Sequence, residues 1–460
     1  MSFANLALQT GMDAIVTGVN LVWVLTVTFL IFFMHAGFAM LEAGQVRSKN
    51  VANQLTKNLL TWSVGVIVFF LAGAAISTVV GGLTGGGSYS VTGAFMSLYS
   101  PEAGSVTAWT DWLFGAVFAM TAATIVSGAV AGRAKLRAYV SYTIVLAAVI
   151  YPVVVGFTWA GGFLATLGFH DFAGGMIVHG MGGLAGLTAA WIIGPRMDRF
   201  NSDGSVNVIP GHSLSFAVLG TLILAFGWYG FNVGTAAAPL AMDGGEVTLG
   251  SFSYVGRVAL VTTLGMAAGA IGAAAVALQK TGKVDTLYVA NGLLAGLVGI
   301  TSIADAIVWP GAIVVGLLAG AQLPIVFGFV EKRLKIDDVC AVFPVHGSAG
   351  ILGALMFPLF ATSFWNGSAS FIGLAIPQIA GVAVITAWTV GATFVVFRII
   401  KAMGELRVTA EHEREGLDTS EHGVDTYPEF GKPDTLTDGS GVPVDGTVRT
   451  DGGVNGSDDE

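Results

Sequence analysis

Charged residues are scarce in this chain. Of its 460 residues only 11% are Asp, Glu, Lys or Arg, whereas 54% are hydrophobic. A soluble protein of this size carries roughly 25% charged residues. The composition therefore excludes an ordinary soluble protein and predicts an all-α chain that crosses a lipid bilayer many times.

Cysteine is almost absent, because Cys340 is the only one. A single cysteine excludes an internal disulfide and supplies no cysteine metal-ligand set. The chain also lacks a His-Glu-x-x-His pattern, and its histidines are badly placed to give the three ligands that a catalytic zinc ion usually needs. We predict no metal, no cofactor and no enzymatic activity.

Basic residues are missing from the start of the chain, since the first one is Arg47. A secretory signal peptide needs a basic segment before its apolar stretch, and the first apolar stretch here is too long for a signal peptide. We therefore interpret it as a retained first span. No basic patch indicates nucleic acid as a partner.

The basic residues of the body fall in six clusters, and each of the five gaps between them has room for two spans of about 20 residues. The clusters are Arg47/Lys49/Lys57, Arg133/Lys135/Arg137, Arg196/Arg199, Lys280/Lys283, Lys332/Arg333/Lys335 and Arg398/Lys401/Arg407. One span precedes the first cluster, which predicts eleven spans. By the positive-inside rule the clusters are cytoplasmic, the N-terminus is outside and the C-terminus is inside.

The predicted spans cover residues 16–41, 58–80, 109–131, 138–158, 171–194, 212–237, 251–278, 286–304, 308–330, 340–360 and 371–400. Two of them share a motif. Val178-His179-Gly-Met-Gly-Gly183-Leu-Ala-Gly186 aligns with Val345-His346-Gly-Ser-Ala-Gly350-Ile-Leu-Gly353. We predict two halves of five spans, at about 10–200 and 205–365, which are inverted relative to each other, and an extra helix at 371–400.

The acidic residues are concentrated at the end of the chain. Residues 402–460 contain 15 acidic and 4 basic side chains, a net charge of −11, and the remaining residues are nearly neutral. We predict a transport domain at 1–401, a partly ordered cytoplasmic regulatory segment at 402–430, and an acidic disordered tail at 431–460.

Several side chains are candidates for a site. A histidine inside a span is costly unless it faces a partner, a cavity or a pathway, so His179 and His346 indicate a pathway between the halves. Trp159 beside flexible glycines offers an aromatic face that can hold a small cation. Asp171 is placed to cap the helix that carries His179. Glu42 and Asp305 lie near span ends, which predicts positions at the membrane surface.

These motifs together resemble the Amt/Mep/Rh family of ammonium transporters, and its Amt branch in particular. The resemblance covers roughly residues 10–430. It rests on Asp171-Phe-Ala-Gly-Gly-x-x-Val-His179 through Gly194-Pro-Arg196, Gly37-Phe-Ala-Met-Leu-Glu-Ala-Gly-Gln-Val-Arg47-Ser-Lys-Asn50, Gly227-Trp-Tyr-Gly-Phe-Asn-Val-Gly234, Asp337-Asp-Val-Cys-Ala-Val-Phe-Pro-Val-His346-Gly, and Arg414-Glu-Gly-Leu-Asp-Thr-Ser-Glu-His-Gly423.

The resemblance implies a role for each matching residue. Trp159 and Phe118 match an outer recruitment site with Phe114 and Trp228 beside it, and Phe118 and Phe231 match a stacked gate. His179 and His346 match the twin histidines of the pore, with the hydroxyl of Thr301 nearby. Asp171 matches a carboxylate that shapes the site. Thr235 stands where many members have serine, which retains the hydroxyl and adds a methyl group.

The resemblance also implies ammonium, ammonia or methylammonium as substrate, a homotrimer in the plasma membrane, and a PII-type signalling protein as a partner at the cytoplasmic face. Ammonium would lose its proton at the gate and cross as ammonia. Two alternatives stay open. One is an ammonium sensor that signals through the cytoplasmic segment, although no kinase or cyclase domain follows residue 430. The other is a pore for a different small molecule.

Overall fold

The computed structural model describes residues 3–100 and 107–428, with side chains from residue 11 onward. The predicted acidic tail at 431–460 lies outside this described part. Long apolar helices dominate the described part, and ten segments are long and apolar enough to cross a membrane. This confirms the prediction of an all-α membrane protein with many spans.

Most helices follow one another in sequence with short connections. They are α1 (Phe3–Gln45), α2 (Val51–Val68), α3 (Ala74–Gly85), α4 (Val91–Tyr99), α5 (Ala108–Ala129), α6 (Leu136–Val145), α7 (Tyr151–Phe157), α8 (Phe163–Leu167), α9 (Met181–Ile193), α10 (Leu214–Asn232), α11 (Val255–Thr281), α12 (Thr286–Thr301), α13 (Trp309–Lys332), α14 (Ser348–Phe360), α15 (Thr362–Trp365), α16 (Phe371–Ala402), α17 (Ala410–Glu415) and α18 (Leu417–His422). One antiparallel hairpin, β1 (Leu240–Asp243) and β2 (Glu246–Leu249), pairs Leu240 with Leu249.

Some of the predicted spans are built from two helices joined by a wider π-helical turn. Such turns link α2 to α3 at Phe69–Gly73 and α6 to α7 at Leu146–Ile150. The predicted eighth span corresponds to α12, whose 16 residues reach only about 24 Å at about 1.5 Å per residue. Because the apolar core of a bilayer is about 30 Å thick, the count of eleven stays a prediction, and so does the orientation.

The two histidine helices meet in a pseudo-symmetric crossing. A Cβ atom on Gly183 would lie 2.1 Å from the amide nitrogen of Gly347, and a Cβ atom on Gly350 would lie 2.2 Å from the carbonyl oxygen of Gly175 and 3.0 Å from the amide nitrogen of Gly180. Gly347 and Gly180 each follow a histidine, so each half contributes the same pair of positions. Glycine is needed because the two backbones touch.

A carboxylate accepts backbone N–H groups at the start of each histidine helix. Asp171 accepts four backbone N–H groups of residues 174–177 at 2.8–2.9 Å, and Asp338 accepts those of Val342 and Phe343 at 2.9 and 2.8 Å. Asp171 and Asp338 occupy corresponding positions of the two motifs. Both satisfy N–H groups that a helix end leaves unpaired, and the burial of Asp338 raises its pKa to about 6.

The segment after α16 is docked on the loops that carry the basic clusters, and we call this side of the molecule the tail face. Leu406 and Leu417 are almost fully buried there. Glu413 bonds Arg407 at 2.7 Å and the backbone N–H of Met197 at 2.7 Å, and Asp418 accepts the backbone N–H of Asn53 at 2.8 Å. The segment is ordered although it is polar, because Leu406 and Leu417 bury apolar surface and the two carboxylates form hydrogen bonds to the membrane body.

A buried ion cluster holds the loops of the tail face together. Arg196 bonds both carboxylate oxygens of Asp337 at 2.8 and 3.0 Å, and Arg133 donates to the Asp337 carbonyl oxygen at 2.7 Å. Burial opposes ionisation of Asp337, but these guanidinium groups hold its pKa well below the ordinary value. The basic residues at 133 and 196, predicted to set the orientation, therefore also join the loops to one another.

The helix crossing yields the first prediction. In Gly350→Ala the new methyl group meets backbone atoms that cannot rotate away, so the histidine helices must separate. We expect a loss of about 1–3 kcal/mol of stability, seen as a lower melting temperature of the detergent-solubilised protein. Gly391→Ala is the matched control, because Gly391 lies within α16 and a Cβ atom there meets nothing within 4 Å. Equal melting temperatures for the two variants would contradict the close crossing.

Candidate functional site

Aromatic and imidazole rings from α5, α10 and the two histidine helices form a continuous buried row. Phe118 on α5 lies 4.3 Å from Phe231 on α10, and Phe231 lies 5.1 Å from His179, measured between ring centroids. His346 follows at 5.3 Å from His179. All four side chains are almost fully buried. The structure thus brings together residues that are far apart in the sequence.

The two imidazole rings are joined edge to edge through their Nδ1 atoms. Their ring planes differ by 15° and their Nδ1 atoms lie 3.2 Å apart, so one Nδ1 donates a hydrogen bond and the other accepts it. Both lie in π-helical turns, at Gly175–Gly180 and Phe343–Gly347, which widen the helix at that point. Nε2 of His179 has no partner within the described part of the chain, so it is available to a small polar molecule.

Trp228 supports the histidine pair from the side. Its indole stacks on His179 at 4.6 Å and 16°, and its N–H donates to Thr301 Oγ1 at 2.9 Å. Thr301 in turn donates to the carbonyl oxygen of Leu297 at 2.7 Å. The resemblance implied that Trp228 lies beside the outer site, whereas the structure places it against His179, deeper in the row. The hydrogen bond from Trp228 to Thr301 fixes the rotamer of the indole.

Trp159 and Phe114 flank the outer end of the row. Trp159 is 40% exposed and lies edge-on to Phe118 at 5.8 Å, and Phe114 contacts Phe118 at 4.9 Å. The indole N–H of Trp159 donates to the carbonyl oxygen of Asp171 at 2.7 Å. Because this N–H is occupied, the indole offers a ligand mainly its aromatic face.

Asp171 itself points away from such a ligand. Its two carboxylate oxygens are taken up by four backbone N–H groups of the histidine helix, and the side chain is 6% exposed. Asp171 therefore positions both the histidine helix and the indole of Trp159. Thr235, just after α10, donates its hydroxyl hydrogen to the carbonyl oxygen of Phe231 at 2.8 Å. The lone pairs of the Thr235 hydroxyl oxygen remain free to accept a hydrogen bond.

Two residues of α1 that were not predicted as site residues lie near the row. The ring centroid of Phe38 lies 6.1 Å from that of His346. Glu42, one turn further along α1, is 3% exposed and therefore buried within the protein, and its position at the level of the membrane surface stays a prediction. It accepts hydrogen bonds from Gln54, Asn58 and Ser127. Gln54, Asn58 and Thr61 are spaced four and three residues apart on α2, which places them on one face of the helix. This spacing was the signal that the three side chains face a common polar interior.

A metal centre finds no support in the described residues, among which no group of three or more His, Cys, Asp or Glu side chains is arranged to hold a metal ion. The row is a buried, mostly apolar series of rings that includes two imidazoles. Its chemistry is hydrogen bonding and proton exchange at nitrogen. Its outer end adds aromatic faces and one hydroxyl.

Comparison with known proteins gives a consistent result. The model of the Ammonium Transporter Family matches residues 22–427. The chain is 77% identical over 441 residues to the ammonium transporter Amt2 of Haloferax mediterranei, covering 95% of this chain and 97% of that protein. It is 38% identical over 433 residues to the ammonium transporter Amt2 of Archaeoglobus fulgidus, covering 90% and 89%.

Solved structures agree. A protein described as a sensor Amt protein superposes with a TM-score of 0.79 at 32% identity, over 89% of this chain and 100% of that one. Mep2 of Candida albicans superposes with a TM-score of 0.74 at 25% identity, over 93% and 94%.

The indole support yields a second prediction. In Thr301→Val the buried N–H of Trp228 loses its acceptor, which we expect to cost about 1–3 kcal/mol and to lower the melting temperature. Thr263→Val is the control, because the Thr263 hydroxyl bonds Tyr229 at 2.8 Å in an exposed position. A Thr301→Val protein as stable as Thr263→Val would show that the indole needs no acceptor.

Proposed function

Since the chain belongs to the ammonium transporter family, we propose that it recruits ammonium at the Trp159 end of the ring row, removes a proton and conducts ammonia past His179 and His346. The observation that supports this most directly is the unbroken, buried row from Phe118 to His346. Its relatives are named as transporters, and none of the described residues forms a metal centre for catalysis.

In this proposal aromatic rings and a hydroxyl group attract ammonium at the outer site, and no carboxylate binds the ion directly. The exposed indole face of Trp159 and the ring of Phe114 attract a small cation through their π electrons. The Thr235 oxygen accepts one N–H of ammonium, and the other N–H groups can still face water. Because the carboxylate of Asp171 is saturated by backbone N–H groups, it contributes shape and negative potential and does not bind the ion directly.

Selectivity follows from the cost of moving a charge into the row. Phe118 is 3% exposed and Phe231 is fully buried, so an ion that passes them loses its water. An unpaired ion in such surroundings costs several kcal/mol or more. Ammonium avoids this cost by separating into ammonia and a proton, whereas potassium and sodium have no proton to lose. Thus the same barrier that stops metal ions admits ammonia.

Beyond the gate the histidines replace water as hydrogen-bond partners. The unpaired Nε2 of His179 lies in the row and can donate to or accept from ammonia, according to its tautomer. The bond between the two Nδ1 atoms holds both rings in one plane and couples their tautomers. A pair of neutral imidazoles is therefore suited to pass a neutral molecule that both donates and accepts.

A second candidate function is an ammonium sensor. A similar solved structure carries the description of a sensor, and the docked segment on the tail face would connect the passage to a partner. Flux distinguishes the two functions, because a sensor binds ammonium without carrying much of it.

The assembly and the chain's subdivision are also proposals. We infer a homotrimer in the plasma membrane with the tail face in the cytoplasm, a transport domain at 1–401, a regulatory segment at 402–430 and an acidic tail at 431–460. Methylammonium is an expected second substrate because it also carries N–H groups. A PII-type protein would bind the tail face, where basic loops and the docked segment meet.

Transport is tested with the purified protein in proteoliposomes on a solid support. We expect an ammonium jump to give a saturable current or, if only ammonia crosses, internal alkalinisation reported by a pH dye. His179→Ala should reduce ammonium transport at least tenfold or convert it to a potassium-permeable leak, because a polar partner within the dry row is lost. Ammonium binding with neither current nor alkalinisation in the wild type would identify a sensor.

The outer site is tested by its hydroxyl. Thr235→Val removes an acceptor of nearly the same shape, and the loss of one hydrogen bond of about 1 kcal/mol should raise the half-saturating ammonium concentration about fivefold. Thr235→Ser retains the acceptor and should stay within twofold of the wild type. Identical half-saturation for the valine variant would remove Thr235 from the recruitment site.

A further inference from the structure

Glu42 is an intramembrane carboxylate with a complete set of donors. Gln54 and Asn58 on α2 donate to its Oε2 at 2.7 and 2.8 Å, and Ser127 on α5 lies 2.8 and 2.7 Å from its two oxygens. Thr124 then donates to the Asn58 side-chain oxygen at 2.7 Å. Two helices, α2 and α5, thus contribute polar side chains around one carboxyl group of a third helix, α1.

Lys57 lies in the same bundle and is fully buried. Its amine has no hydrogen-bond partner within the described ranges. Lys57 directly precedes Asn58 on α2, and Asn58 donates to the Glu42 carboxylate at 2.8 Å. Ionisable residues inside a membrane domain are expensive, and they commonly mark a path for ions or protons.

The carboxylate is connected to the histidine pair by packing. Phe38 contacts the ring of His346 at 6.1 Å and precedes Glu42 by one helical turn on α1. A Cβ atom on Gly128 would lie 2.9 Å from Glu42 Oε1 and 3.1 Å from Val342, which precedes His346 by one turn. Glu42 therefore lies about one turn beyond the histidine layer, toward the tail face.

Toward the tail face, helix α2 with Lys57 contacts the docked segment after α16. Asn53, one turn before Lys57 on α2, donates its backbone N–H to Asp418 at 2.8 Å, and its side-chain amide lies 3.0 Å from Nε2 of His422. Glu421 accepts the backbone N–H of Leu136 at 2.8 Å. Titratable groups thus continue from Glu42 through Lys57 to the surface of the tail face.

We propose that Glu42 and Lys57 form a proton-transfer site, through which the proton of the transported ammonium reaches the tail face while ammonia leaves the row. This inference rests on the proposed function. An N–H bond of ammonium breaks at the row, where the unpaired Nε2 of His179 takes up the proton and ammonia is released. The bond between the two Nδ1 atoms lets His346 pass a proton on. At this site the Glu42 carboxylate takes up that proton, forming one O–H bond, and then releases it to water or to departing ammonia, which becomes ammonium again.

Lys57 acts as a positioning residue through its charge. An ammonium group near the carboxylate favours the deprotonated form, so that Glu42 accepts a proton only transiently. Around the pair, Tyr139 and Arg133 face it from the α5–α6 region, Cys340 from the segment before His346, and Asp418, Glu421 and His422 from the docked segment.

The test separates proton movement from ammonia movement in the full chain reconstituted in proteoliposomes. Current on a solid support reports charge, and the total ammonia plus ammonium that accumulates inside the vesicles reports ammonia flux whether or not a proton accompanies it. For Glu42→Gln, which keeps the shape and most hydrogen bonds, we expect at least a tenfold loss of current with ammonia flux within twofold of the wild type. Lys57→Met should reduce the current several-fold with the same preserved flux, and Glu42→Asp should restore part of the current.

Glu331→Gln is the control, because Glu331 pairs with Arg199 away from the row and should change neither signal. Melting temperature and elution volume confirm that each variant is folded. An unchanged current in Glu42→Gln would overturn the proposal, and so would a folded variant that loses current and flux together. Wild-type ammonia flux without current would refute this site and leave the proposed function intact, whereas no flux and no current would refute both.

Discussion

The close crossing of the two histidine helices is the constraint on which the rest of the structure depends. Gly183 and Gly350 leave no room for a side chain, so the backbones of the two halves touch. This contact brings His179 within hydrogen-bonding distance of His346. The carboxylates of Asp171 and Asp338 hold the helix ends that point at the crossing. A larger residue at the crossing would separate the imidazoles and leave a gap in the row.

A second constraint is the cost of charge in apolar surroundings. Along the row, the buried side chains are phenyl, indole and imidazole rings, which offer few partners to an ion. Next to the row, the Glu42 carboxylate is surrounded by amide and hydroxyl donors, which lower the cost of its charge. An apolar row of rings and a polar pocket around a carboxylate therefore lie about one helical turn apart. The proposed separation of ammonia from its proton rests on this contrast.

The docked segment combines apolar burial with hydrogen-bonded carboxylates on the tail face. Leu406 and Leu417 bury apolar surface, Glu413 bonds the loop after α9, and Asp418 bonds the first turn of α2. The segment thus contacts α2 on the same helix that carries Gln54, Lys57 and Asn58. A change in its docking would be transmitted to the polar pocket through one turn of helix, which gives a short physical path between the surface and the interior.

The sequence by itself determined the class of protein, the approximate positions of its spans and the matching motifs that carry His179 and His346. Hydrophobic length, the spacing of basic clusters and the repeated motif are local or periodic signals, so they can be read without coordinates. Only the tertiary structure decided that Trp228 stacks on a histidine, that α12 is short, and that Glu42 is buried among hydrogen-bond donors. Glu42 lies near the end of its predicted span, and the donors that make its burial tolerable come from α2 and α5. Such partners are brought together by packing, which a linear pattern does not encode.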